Sequence, residues 1–139
     1  MSNQETVQQI YAAFGRGDVP AILERLAPDV RWDHWPDGSG GQRHGVPWLE
    51  ERTGPEEVAE FFAALAALDI HRFEPTALIG DAEHVAALID IELTVRATGE
   101  RFRDAEVHVW RFDAGGRVSE FRHVVDTVKH VEASAGALA

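Results

Sequence analysis

The sequence contains no cysteine, which excludes disulfides and thiolate metal sites. That absence agrees with a reducing cytoplasm, where the protein is expected to reside. Basic residues are scarce: 13 Lys and Arg stand against 24 Asp and Glu, for a net charge of −11. Such a field repels phosphate backbones and anionic headgroups, so neither nucleic acid nor a membrane is an expected partner. No apolar run approaches the length of a membrane span. The opening "MSNQETVQQI" lacks both the basic and the apolar region of a signal peptide. Repeats and low-complexity stretches are missing as well. What remains is ordinary: 139 residues, 45% hydrophobic and 27% charged, the composition of one globular domain around a single core. That domain is expected over residues 1–132, with 133–139 as a flexible, small-residue tail.

The first third of the chain reads as helical. Ser2 and Glu5 have capping-box spacing, and Val7, Ile10, Tyr11 and Phe14 follow as an apolar stripe. Glycines in "GRGD" stop that helix, and Asp18 caps a second one with Pro20 in its first turn and Ile22, Leu23 and Leu26 buried. Aromatic-rich "VRWDHW", Val30 to Trp35, is the first expected strand. Residues 36–54 carry glycine and proline without periodicity, which fits either a lid or a plain surface loop. Trp48 and Leu49 would let such a loop fold back over something apolar. A third helix starts near Thr53 and Glu56, with Val58, Phe61, Phe62, Leu65 and Leu68 on its buried face.

Strands fill the rest. Pro75 marks the segment Ile70–Gly80 as an edge or bent strand. Ile89, Ile91, Leu93 and Val95 then alternate with Asp90, Glu92, Thr94 and Arg96. The segment "EVHVWRFDAGGRVSEFRHVVD", residues 106–126, reads as a hairpin, and a short helix follows it. Grouped helices and then grouped antiparallel strands define an α+β domain, with the helices covering one face of the sheet.

The hairpin carries the chemistry. Glu106, His108 and Trp110 share one face, and Phe121, His123 and Val125 share another. A four-residue turn, Asp113 to Gly116, sets Glu106 opposite His123 and His108 opposite Phe121. A carboxylate beside an imidazole fixes its tautomer and favours its charged form. Such a dyad removes a proton from carbon next to a carbonyl, or activates water, while His108 on the diagonal donates to the developing oxyanion. The same pairing also serves structure alone, and periodicity does not decide which face looks inward. His34, Glu106, His108 and His123 suit a metal by type, but no H-x-H or H-x-x-x-H spacing supports one. No metal and no cofactor are expected.

The segments "VQQIYAAFGRGDVPAILERLAPDVRWD", "GPEEVAEFFAAL" and "HVWRFDAGGRVSEFRHVVD" resemble the nuclear transport factor 2-like superfamily. Within it, the chain is similar to the SnoaL-like polyketide cyclases and the ketosteroid isomerases. The resemblance implies a curved antiparallel sheet wrapped around three helices, cone-shaped, with an internal pocket and the hairpin histidines inside. On that fold Val107, Val109 and Val124 lie on the outer sheet face, where a homodimer is expected to cover them, the C-terminal tail or the long loop being the alternative cover. His34 falls where the isomerases hold their general base, and His108 where they hold an oxyanion donor. Their first-helix tyrosine falls at Ile10; Tyr11 is displaced by about 100° around the helix and is not expected to replace it. The resulting expectation is a cyclase, isomerase or hydratase with catalytic His34, Glu106, His108 and His123. Trp32, Trp48, Phe62, Trp110, Phe121 and Val125 would hold an apolar small molecule. A non-catalytic binding domain and a vestigial pocket are the other readings.

Overall fold

The computed structural model describes residues 1–37 and 45–138. Residues 36–54, which fit either a lid or a surface loop, are therefore described only in part. The elements run α1 Asn3–Gly15, α2 Val19–Leu23, β1 Leu26–Trp32, β2 Arg52–Thr53, α3 Gly54–Ala64, β3 Leu68–Gly80, β4 His84–Val95, β5 Glu100–Phe112, β6 Val118–Val124 and α4 Thr127–Leu138. Helix starts follow local chemistry. Ser2 Oγ accepts from the Glu5 amide at 3.1 Å, and Asp18 Oδ1 from the Ala21 amide at 3.2 Å. At α3, Glu57 Oε1 reaches back to the Thr53 amide at 3.0 Å. No described helix is long and apolar enough to cross a membrane.

The six strands form one sheet in the order β2-β1-β6-β5-β4-β3. Because β1 runs parallel to β6, the sheet is mixed rather than wholly antiparallel. β1 also starts earlier than its aromatic content implies, at Leu26, and stops at Trp32. Pro28 is tolerated because the β1–β6 register breaks between Leu26 and Arg31, where no ladder bond depends on its missing N–H. Pro75 sits on the edge strand β3, beside a register shift between Pro75 and Ala77. Leu68 opens β3 instead of closing α3. α4 continues to Leu138 through the segment expected to be a loose tail, with Ala133 and Ser134 buried.

The core lies between the inner sheet face and α1, α2 and α3. Val7 and Ile10 of α1, Ile22 of α2 and Val58 of α3 pack against Ile89, Leu93 and Trp110. Each such aliphatic side chain contributes about 1.5–3 kcal/mol on burial. This is the α+β layout expected, with four α-helices among the described residues.

The hairpin register departs from the simple count in an instructive way. Phe112 pairs with Val118, so the loop holds one residue more than a four-residue turn. Asp113 Oδ1 organises that loop, accepting from the amides of Gly115 at 2.9 Å and Arg117 at 3.0 Å, and Gly116 takes the left-handed φ of 80° it requires. A bulge at Ser119 then adds a second one-residue offset, because Arg111 pairs with Glu120. Either offset alone would turn every side chain of β6 to the other face. Together they cancel in parity: His123 still faces inward, but opposite His108 rather than Glu106.

Candidate active site

A cavity of about 70 Å3 lies between α1, α3 and the inner sheet face. Its walls include Trp32, Trp48, Trp110 and Phe121, all buried, while Phe14, Phe62, Leu65, Ile70 and Phe73 are half-exposed and form its outer rim. Glu106, His108, His123 and His130 are the titratable residues lining it. Trp32 stacks on Phe121 at 4.0 Å between ring centroids, and Trp110 packs on Phe121 at 4.5 Å. A water molecule's share of liquid is about 30 Å3, and a benzene-binding cavity is about 150 Å3. The cavity as it stands is about half the volume of one that holds benzene.

His123 is held by Asp33. Its Nδ1 lies 2.7 Å from Asp33 Oδ2, and its backbone amide donates to Asp33 Oδ1 at 2.8 Å. Strand alternation points Asp33 away from Trp32, toward solvent. Instead Asp33 adopts a left-handed φ of 56°, the one non-glycine residue to do so among those described, and turns its carboxylate inward. Asp tolerates that conformation better than most residues, and held backbone strain concentrates at functional positions. Burial is the largest influence on His123 and lowers its pKa; the charge of the adjacent Asp33, with help from Glu106, reverses this and raises it. His123 Nε2 makes no hydrogen bond to any described residue, and Phe61 and Phe121 flank the ring.

Glu106 has different neighbours. Its Oε1 lies 3.5 Å from His108 Nε2 and its Oε2 lies 3.3 Å from His130 Nε2. Burial alone would raise its pKa, yet His108 and His130, with the charge of His123, hold it well below the carboxylate range. The His108 pKa is lowered, chiefly by burial, against the pull of Glu106. Tyr11 completes the group, with its hydroxyl 2.8 Å from His108 Nδ1 and accepting from Trp110 Nε1 at 3.0 Å. Burial, together with Glu106's charge, raises the phenol pKa and keeps it protonated.

Several expectations change here. Glu106 and His123 line one cavity, as the hairpin implies, but no hydrogen bond or ion pair joins them; the two-residue register difference gives each another partner. His34 lies outside the cavity. Its Nε2 contacts Arg52 O at 2.9 Å and Thr53 Oγ1 at 3.0 Å, tying the end of β1 to β2. Val125, half-buried beyond the end of β6, does not line the cavity either. Trp32, Trp48, Phe62, Trp110 and Phe121 do. Tyr11 reaches His108 despite its offset on α1, because its ring leans over Phe73 and Trp110. Sequence reasoning missed Asp33, Asp104 and His130. Asp33 breaks alternation, while Asp104 and His130 meet only where α4 crosses β5. The "DHW" after the first strand, with an acid beside the sheet end, was the available signal for Asp33.

Known proteins agree with this architecture. An NTF2-like protein of unknown function from Burkholderia pseudomallei shares 32% identity and a TM-score of 0.79, over 96% of this chain and 98% of that one. An NTF2-like protein from Burkholderia thailandensis shares 27% at a TM-score of 0.80, over 96% and 97%. TerC, co-crystallised with polyporic acid, shares 25% at a TM-score of 0.76, over 94% and 96%. No curated protein matches the chain. The SnoaL-like domain family matches residues 7–121. With that match spanning most of the sequence, and with the fold of NTF2-like structures, the chain belongs to the SnoaL-like domain family.

Proposed function

We propose that the protein is a cofactor-independent enzyme of cyclase, isomerase or hydratase type, acting on an apolar carbonyl compound by acid–base chemistry. The observation that carries this reading is the buried Asp33–His123 pair beside an aromatic-walled cavity. Asp33 holds Nδ1 of the imidazole, which leaves Nε2 to exchange a proton with a ligand. In the neutral ring Nε2 takes a proton from carbon next to a carbonyl. His108 steadies the enolate oxygen through its Nε2–H, which the long contact to Glu106 leaves partly free. Glu106 stays ionised and acts through its charge, so Asp33 replaces it as partner of the base. The base must be neutral to act. Because the His123 pKa is raised, turnover should climb as pH rises from 6.5 through that higher value.

TerC is co-crystallised with polyporic acid. Polyporic acid and aromatic ketones are therefore the first compounds to soak into crystals. The reading requires a carbonyl oxygen near His108 and the adjacent carbon near His123 Nε2. A ligand bound outside the cavity overturns it. A ligand held inside, but without its reactive carbon near His123, favours a binding domain.

The proposed homodimer uses the outer sheet face. Leu88, Val107 and Val124 form a cross-strand apolar row there, with Leu88 38% and Val124 44% exposed. Sedimentation as a monomer at micromolar concentration would remove this part of the proposal.

A further inference from the structure

Trp48 and His130 take no part in the reaction proposed above, yet both are buried against its site. The Trp48 Nε1–H donates to His130 Nδ1 at 3.0 Å. Across the ring, His130 Nε2 lies 3.2 Å from Asp104 Oδ2 and 3.3 Å from Glu106 Oε2. An indole nitrogen is a donor with no acceptor capacity. The nitrogen that receives it must present a lone pair, so the imidazole proton resides on Nε2 and points at the carboxylates. We infer that Trp48 is a positioning residue that locks His130 in the neutral Nε2–H tautomer, and that His130 thereby fixes Glu106 as the standing anion of the pocket wall.

Trp110 repeats the device one step removed. Its N–H occupies the Tyr11 oxygen at 3.0 Å, which leaves the phenol proton for His108 Nδ1 at 2.8 Å. His108 then turns its own Nε2–H toward Glu106. Both ends of the chain are indole donors, and with no ligand bound its imidazole N–H groups face Glu106, with Asp104 sharing the proton of His130. A carboxylate held from both sides is a poor proton acceptor, which is why His123 and not Glu106 is left to act as the base.

The lock also decides what the cluster is not. Ligand atoms of Asp104, Glu106 and His130 lie within 4.8 Å of one another, close enough to surround a cation. With a proton on Nε2, His130 offers a donor there instead of a lone pair. The cluster is closed to a divalent metal for as long as the Trp48 bond stands.

Charges around His130 pull in opposite directions. Burial opposes a second proton, but Asp104 and Glu106 from β5 favour it more strongly and raise the His130 pKa, while His123 from β6 repels the same charge. Its own helix adds Lys129, whose ammonium is engaged by Arg103 O at 2.8 Å, and Phe102 covers the ring at 4.9 Å. The indole N–H opposes the second proton most directly, because the charged ring has nothing left with which to accept it.

Long-range proton–nitrogen correlation NMR of the imidazoles tests this without any turnover, so it stands or falls apart from the proposed reaction. His130 signals are assigned by their loss in His130→Gln. At neutral pH the wild-type protein should show His130 neutral and protonated at Nε2. Trp48→Phe keeps a ring but deletes the donor, and should raise the His130 titration midpoint by about one pH unit, the usual weight of one hydrogen bond. Zinc alone should leave the wild-type His130 signals in place. A doubly protonated or Nδ1–H ring in the wild type, an unmoved midpoint in Trp48→Phe, or a zinc-shifted His130 each overturns the inference. Should Trp48→Phe fail to fold, the wild-type tautomer and the zinc titration still decide it.

Discussion

On the outer face of the sheet, Asp90 meets Arg72 at 3.0 Å and Arg103 at 2.6 Å, with the arginine side chains 49% and 65% exposed. On the inner face, Asp33 meets His123 at 2.7 Å with both side chains almost wholly enclosed. The distances are alike; the surroundings are not. Water screens the outer pairs and hydrates either partner when the other is removed, so they contribute little. The inner pair has no such refuge, and the cost of stripping water from its charges makes each partner depend on the other. Proximity of opposite charges is therefore a weak signal of function, and enclosure is the stronger one. The polar chain around Glu106 extends the contrast, since its donors and acceptors are matched by side chains and not by solvent.

Replacing Asp33 by Asn should break this contrast most severely. Asn keeps the shape and tolerates the left-handed backbone, so the change removes little but charge. A cost of about 3–5 kcal/mol is expected from denaturant unfolding at pH 6 or below, where His123 is charged and left without its partner. The sign follows from the raised His123 pKa: the pair's stabilisation is complete below 6.5 and is lost as pH rises through the higher, folded-state value. The Asp33→Asn deficit should therefore shrink on the alkaline side. A deficit that grows with pH would contradict the pairing.

Tyr11→Phe comes next. Deleting the hydroxyl strands Trp110 Nε1–H and His108 Nδ1 in a buried setting, for a loss of about 1–3 kcal/mol. A neutral result in the same unfolding assay would mean that water enters the rim and replaces the hydroxyl. Smallest of all is Asp90→Asn on the outer face. Its thermal midpoint and its ligand binding should be indistinguishable from the wild type. A clear loss there would erase the distinction between the two faces.

The hairpin was legible in the sequence because alternation survives two compensating offsets. Counting from the turn gave the right face for Glu106, His108 and His123 and the wrong partner for each, since periodicity preserves parity but not register. Helix starts were legible for a more local reason: a capping side chain and the amide it satisfies lie within four residues. His34 was misplaced because the chain leaves regular geometry at Asp33, one residue earlier, and alternation carries no information past that point. Tyr11 was discounted on helical angle alone, although a long side chain on a packed helix can lean across a neighbouring face. Asp104 and His130 come together only through the docking of α4 on β5, a tertiary contact with no local trace.

The account rests on His123 as a proton-transferring base, and hydrogen–deuterium exchange reads that step without knowledge of the natural substrate. Aromatic ketones that bind the pocket would be incubated with the protein in heavy water, and deuterium at the carbon beside the carbonyl followed by NMR. The wild-type protein should catalyse the exchange, faster as pH rises from 6.5, and His123→Gln should slow it by about 10²–10⁴-fold while binding the same ketone. Exchange that persists undiminished in His123→Gln, or a wild-type protein that binds the ketone and never exchanges its proton, would contradict the account.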